Sequence, residues 1–136
     1  MRTHLEFRSS AFPAQPGEEE CINNRRRAEL LAEYLRGELT KRGLHGGAPF
    51  PVDWDCWGIP LDNKSFRLWV GCGTLEEYPD EFLCFIEPSK PYVRKLFSKI
   101  DTRERVEQVA VALEAALMAH GSVHDLRWWS EDAPGT

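Results

Sequence analysis

Phe66-Arg-Leu-Trp-Val-Gly-Cys-Gly-Thr-Leu-Glu-Glu-Tyr-Pro-Asp-Glu-Phe-Leu-Cys-Phe-Ile-Glu87 is the stretch on which the fold turns. Its two ends alternate with period two, the spacing of an extended strand with one face buried. Phe66, Leu68, Val70 and Cys72 share one side, and Arg67, Trp69 and Gly71 the other. Further on, Phe82, Cys84 and Ile86 oppose Leu83, Phe85 and Glu87. Residues 74–80 link two strands, Phe66–Cys72 and Glu81–Glu87. A third strand, Cys56–Leu61, precedes them across the turn Asp62-Asn-Lys64.

On either side of this meander the period changes to that of a helix. Ala28, Leu31, Ala32, Leu35 and Leu39 form one apolar stripe, which predicts a helix from about Asn24 to Arg42. Asn23 or Asn24 supplies its cap, and Gly43 its left-handed close. Downstream, Asp101-Thr-Arg-Glu104 has the spacing of a capping box. Val106, Val109, Ala110, Leu113, Ala116 and Leu117 then mark a buried face until Gly121. Strands are expected at Thr3–Arg8 and Asp125–Trp129, a loop over Phe12-Pro-Ala-Gln-Pro-Gly17, and a short helix over Ser89–Phe97 with Pro91 in its first turn.

The order β-α-β-β-β-α-β, with one apolar stripe per helix, predicts an α+β two-layer sandwich. A mostly antiparallel sheet of about five strands carries both helices on one face, in the spirit of ferredoxin-like folds. Residues 1–129 are read as a single domain and 130–136 as a polar tail. The chain has 136 residues, 42% of them hydrophobic and 29% charged, enough to bury a core without a metal or disulfide. No repeat and no low-complexity segment is present.

The start of the chain has no apolar run behind its basic residue, and Val109–Ala119 is too short to cross a bilayer. These features predict a cytoplasmic protein with no membrane partner. Cys21, Cys56, Cys72 and Cys84 show no two-residue spacing, so they are read as reduced, small apolar side chains.

A net charge of −5 disfavours a general nucleic-acid partner. The charge is segregated, however. Residues 53–87 hold eight acids and two bases, and residues 90–105 hold six bases and two acids. The latter, with Tyr92 and Phe97 interleaved, could touch phosphates in a salt-sensitive way; a solvated basic surface is the plainer reading.

With both helices on one face, the strand alternation turns Trp69, Leu83, Phe85 and Trp129 outward, interleaved with Arg67, Arg127 and Glu87. Aromatic patches edged by arginine are typical of interaction sites. Phe50-Pro-Val-Asp-Trp54, or the chain near Trp128, folding over that face is the competing reading, and a one-residue register slip would swap the faces.

A different constellation supports the alternative of a small-molecule-binding domain or small enzyme. Asp53 and Asp55 share one side of an extended segment beside Trp54 and Trp57, where acids and rings could grip a cation or a sugar. Cys72 lies between two glycines near a strand end, but no spacing ties it to His4, His120 or His124 as a base. His120 and His124 are separated by a helix-ending glycine and lack the acid of a zinc protease. No phosphate loop and no Gly-x-Ser-x-Gly elbow is present. No cofactor and no metal is expected, and no catalytic residue is assigned.

Leu68-Trp-Val-Gly-Cys-Gly73, Phe85-Ile-Glu-Pro-Ser-Lys-Pro91 and Asp125-Leu-Arg-Trp-Trp129 resemble strings of small bacterial α+β proteins without assigned activity. The resemblance covers about the C-terminal half. It implies a bacterial, stand-alone domain and carries no functional residue. The expectation is a protein-interaction module, of immunity or adaptor type or self-associating, whose partner is a protein or a second copy.

Overall fold

A computed structural model describes residues 1–12, 20–75 and 78–130, with backbone only for 20–23. The helix stripes and the strand alternation meet in one core. Sheet residues Leu5, Phe7, Ile59, Leu68, Val70, Cys72, Phe82, Cys84 and Ile86 are buried against the two predicted stripes, every member of which is buried too.

The elements in chain order are β1 (His4–Ser9), α1 (Glu20–Lys41), β2 (Phe50–Asp53), β3 (Cys56–Leu61), β4 (Leu68–Thr74), β5 (Glu81–Glu87), β6 (Tyr92–Lys95), β7 (Ser98–Asp101), α2 (Arg103–Met118) and β8 (Val123–Trp129). Six strands form one sheet in the order β2-β3-β4-β5-β1-β8, every neighbouring pair antiparallel. α1 lies over β3 and β4, and α2 over β5 and β8. The architecture is the α+β two-layer sandwich read from the sequence, with more strands. Among the described residues no helix is long and apolar enough to cross a membrane.

Both additional features lie outside the strands expected from the sequence. Phe50–Asp53 is an edge strand, and Pro51 is tolerated because one side of an edge strand has no partner to bond. Tyr92–Asp101 is a two-stranded hairpin instead of a short helix. Val93 pairs with Ile100 and both lean on the core, a period-two pattern. Its turn holds Leu96 at φ +50, a backbone normally left to glycine or asparagine, so no turn residue announced it.

Helix ends also shift. α1 begins at Glu20, so Asn24 sits inside the helix, where its Oδ1 accepts from Arg27 Nη1 at 3.5 Å. The Asn23 side chain, most of the 12–17 loop and most of the 130–136 tail lie outside the described residues. α2 stops at Met118 with Ala119 as its cap. β8 starts two residues early, with Asp125 at φ +56 near a register shift between Glu6 and Arg8 of β1.

Arg27, the last of three successive arginines, is a buried clamp. Its Nε donates to the Phe12 carbonyl at 2.9 Å, its Nη2 donates to the Pro79 carbonyl, and its guanidinium lies 4.9 Å from the Phe82 ring. Tyr34 ties the helices together by donating to the Ala116 carbonyl at 2.8 Å.

At the start of α2 the capping-box spacing is used differently. Thr102 is the capping residue, but its hydroxyl donates to the Lys90 carbonyl, tying the helix to the hairpin. Asp101 accepts the Arg103 amide at 2.9 Å and the Arg103 guanidinium through both oxygens. Those bonds, the guanidinium's first, hold the Asp101 carboxyl down at about 2. The folded value lies below the ordinary one near 4, so its contribution to stability is present above pH ~4 and lost as the pH falls toward 2. Carboxyl-carbon NMR should show Asp101 ionising near pH 2 in the native protein. In an Arg103→Ala variant the midpoint should climb back toward 4; an unchanged midpoint would contradict the guanidinium as its main cause.

Candidate functional site

The face turned away from both helices is built on a single rung. Register pairs Phe50 with Gly58, Gly58 with Gly71, Gly71 with Phe85, Phe85 with His4, and His4 with Trp129, so the rung crosses all six strands. The two central glycines leave room that neighbouring rings fill. A methyl on Gly71 would stand 2.1 Å from the Phe85 ring, and one on Gly58 would stand 2.5 Å from the Phe50 ring. The rings therefore lie down on the sheet, covering glycine backbone.

Trp69, one step along β4, joins the two halves. Ring centroids run Phe50–Trp69 5.7 Å, Trp69–Phe85 5.5 Å, Phe85–His4 6.0 Å and His4–Trp129 4.0 Å. These spacings are those of offset and edge-to-face ring contacts. Five rings from five strands make a continuous aromatic band, each ring half-buried.

Charged groups fix the band at both ends. Arg67, just before β4, places its guanidinium 5.8 Å from Phe50 and 5.9 Å from Trp69. At the other edge Glu6 accepts from the Trp129 indole at 3.2 Å and from Arg127 at 2.5 Å, orienting the outer tryptophan. Leu83 stands opposite Glu6 and next to Gly73, and Glu87 stands opposite Trp69. Arg8 is bound through two nitrogens by Asp80, at 2.9 and 3.1 Å. Of the three arginines here, two are matched by carboxylates, so the face carries little surplus positive charge for phosphates.

Arg67, Trp69, Leu83, Phe85, Arg127 and Trp129 are thus brought to one face. His4 and Phe50 belong there too. His4 alternates with Leu5 and Phe7, so its side was legible, but its pairing with Phe85 and Trp129 was not. Phe50 was hidden by the prolines on both sides of it. Phe50–Asp53 lies in the sheet's plane as an edge strand with its Phe50 ring on this face, and Trp128 turns to the helix side, where its indole donates to Glu114 at 3.0 Å.

The second constellation is brought together only in part: Trp57 pairs with Cys72 across β3 and β4, while Asp53, Trp54 and Asp55 lie apart from them. Asp53 and Trp54 project at the β2–β3 turn, Trp54 being 74% exposed, and Asp55 is half-buried behind them. Trp57 lies on the helix side beside Glu29, Glu33, Arg36 and Pro49, with the Arg25 guanidinium 5.9 Å from its ring. Cys72 is fully buried beside Cys84, and burial pushes its thiol well up; the half-buried Cys56 thiol is pushed up to about 12, again mainly by desolvation. Such thiols stay protonated and are poor nucleophiles. Among the described residues no group of three or more His, Cys, Asp or Glu is placed to hold a metal ion.

No family model, no curated protein and no solved structure matches this chain.

Proposed function

We propose that this protein is a non-catalytic binding module whose open sheet face docks a protein partner. The observation that carries the proposal is the aromatic band Phe50–Trp69–Phe85–His4–Trp129, opposite both helices. Half-exposed aromatics with arginine at the edge are the composition of binding hot spots. The Phe50 and Phe85 rings fill the space over Gly58 and Gly71, which suits a broad macromolecular surface better than a small ligand. Paired Arg8 and Arg127 argue against nucleic acid and for a neutral, largely apolar counterpart. The proposed setting is a bacterial cytosol, in keeping with free Cys56, Cys72 and Cys84, and the proposed role is that of an adaptor or an immunity-type inhibitor.

Trp69 and Trp129 are surface-facing, so their joint replacement by alanine should leave the fold intact. Loss of one central aromatic at an interface costs about 2 kcal/mol or more, roughly 30-fold in Kd. A partner captured by the immobilised wild type, identified by mass spectrometry and purified, should bind the double variant at least that much more weakly. Equal binding by a double variant with native circular dichroism, or the absence of any reconstitutable partner, would refute the reading.

A further inference from the structure

A second surface carries apolar groups that the open face does not account for. The β6–β7 hairpin ends in the two-residue turn Leu96-Phe97, whose side chains are 97% and 103% exposed. At its base Val93 and Ile100 lean on the core, so the hairpin is anchored at one end and bare at the other. Immediately behind the apex stand Arg94, Lys95 and Lys99, all exposed. Lys99 and Arg94 lie 4.4 and 5.9 Å from the Tyr92 ring, and among the described residues none of the three bases meets a carboxylate. The result is an apolar knob with a basic collar.

The helix that follows presents the complement. Glu104, Glu107, Gln108, Val111, Ala112 and Ala115 form one stripe of α2 and, with Arg42, line a trough of about 640 Å³. Its floor is apolar, with Val111 54% exposed, and its rim carries Glu104 and Glu107. Arg42 is already held by Glu38 at 3.4 Å, and Arg2 pairs with Glu107 at 2.6 Å. Glu104 has no ion-pair partner among the described residues and faces the solvent.

We infer that a second copy of this chain occupies the trough: Leu96 and Phe97 of one copy seat on Val111, Ala112 and Ala115 of the other, with the collar over Glu104. Convex apolar apex meets apolar trough, and the positive collar meets Glu104, the rim acid without an ion-pair partner among the described residues. Knob and trough belong to one continuous segment, and a two-fold axis lets each copy give one knob and receive one; without closure the same contact runs on into chains.

Sedimentation velocity on the full chain, from micromolar to near-millimolar protein, tests this. Wild type should associate reversibly, and less at high salt. Leu96→Asp with Phe97→Asp should weaken association about tenfold or more per side chain, and Val111→Glu alone should do likewise. Each variant by itself should then sediment as a monomer. Mixing the two should restore one of the two contacts, knob of one copy in trough of the other, so a heterodimer weaker than the wild-type dimer should appear at the highest concentrations. The Trp69→Ala, Trp129→Ala variant should associate like wild type, which separates this contact from the open-face reading. Wild type remaining monomeric throughout overturns the inference. So does undiminished association of the hairpin variant, or a mixture that stays monomeric.

Discussion

Replacing Phe82 by alanine should cost the protein about 3–5 kcal/mol, the usual range for a fully buried phenylalanine. That is a large part of the 5–15 kcal/mol that holds a typical domain together. Phe82 is 0% exposed, stacks on Phe7 at 5.5 Å, meets Phe12 edge-on at 5.7 Å and lies under the Arg27 guanidinium. The cavity would open between β1, β5 and the start of α1, where Arg27 also secures the Phe12 and Pro79 carbonyls. A urea melt should show the midpoint falling with little change of slope. A loss below about 1 kcal/mol would mean that the ring cluster does not anchor that end of the core.

The same small substitution at two glycines should move stability in opposite directions. At Gly46 an added methyl carbon would stand 1.7 Å from the Pro60 carbonyl oxygen, and backbone cannot swing aside as a side chain can. The 45–47 loop would have to lift from the end of β3, losing the 2.8 Å bond in which the Asp62 amide donates to the His45 carbonyl. Gly46→Ala should therefore destabilise by about 3 kcal/mol, the upper end of the overpacking range, or more. Gly37 lies within α1, and a methyl there meets nothing within 4 Å. Gly37→Ala should stabilise by about 0.5–1 kcal/mol, because alanine gives up less backbone entropy in a helix. Thermal melts of both variants decide the matter. A Gly46→Ala variant that melts no lower than wild type would show that the close approach at Gly46 is not maintained in solution, and a Gly37→Ala variant that melts lower would contradict the entropic gain.

How much was legible depended on whether a local pattern implied its own partner. The stripes of α1 and α2 were readable because a 3.6-residue period gathers apolar residues on one face wherever that face ends up. Strand sides were readable in β4, β5 and β8 for the same kind of reason: Trp128 and Trp129 point to opposite faces because neighbours on a strand must. The hairpin over Tyr92–Asp101 was not, since Pro91 imitates a helix start and Leu96 takes a left-handed turn without glycine or asparagine to signal it. Capping at α2 was half legible. Asp101 does accept a helix amide, but Thr102 diverts its hydroxyl to Lys90, a carbonyl brought near only by the hairpin.

Periodicity along the chain determined, without coordinates, a sheet with helices on one side and an aromatic reverse face bearing Trp69, Phe85 and Trp129. Side-chain direction is a property of a single strand, which is why it could be read. Which strands adjoin is settled by pairing between segments far apart in sequence. Only that pairing set His4 between Phe85 and Trp129, brought Phe50 onto Gly58 and Phe85 onto Gly71, and buried Cys72 while Asp53 and Trp54 stayed at the rim. The band of rings exists because glycines on β3 and β4 fall opposite aromatics on β2 and β5, a match of register that no segment carries alone.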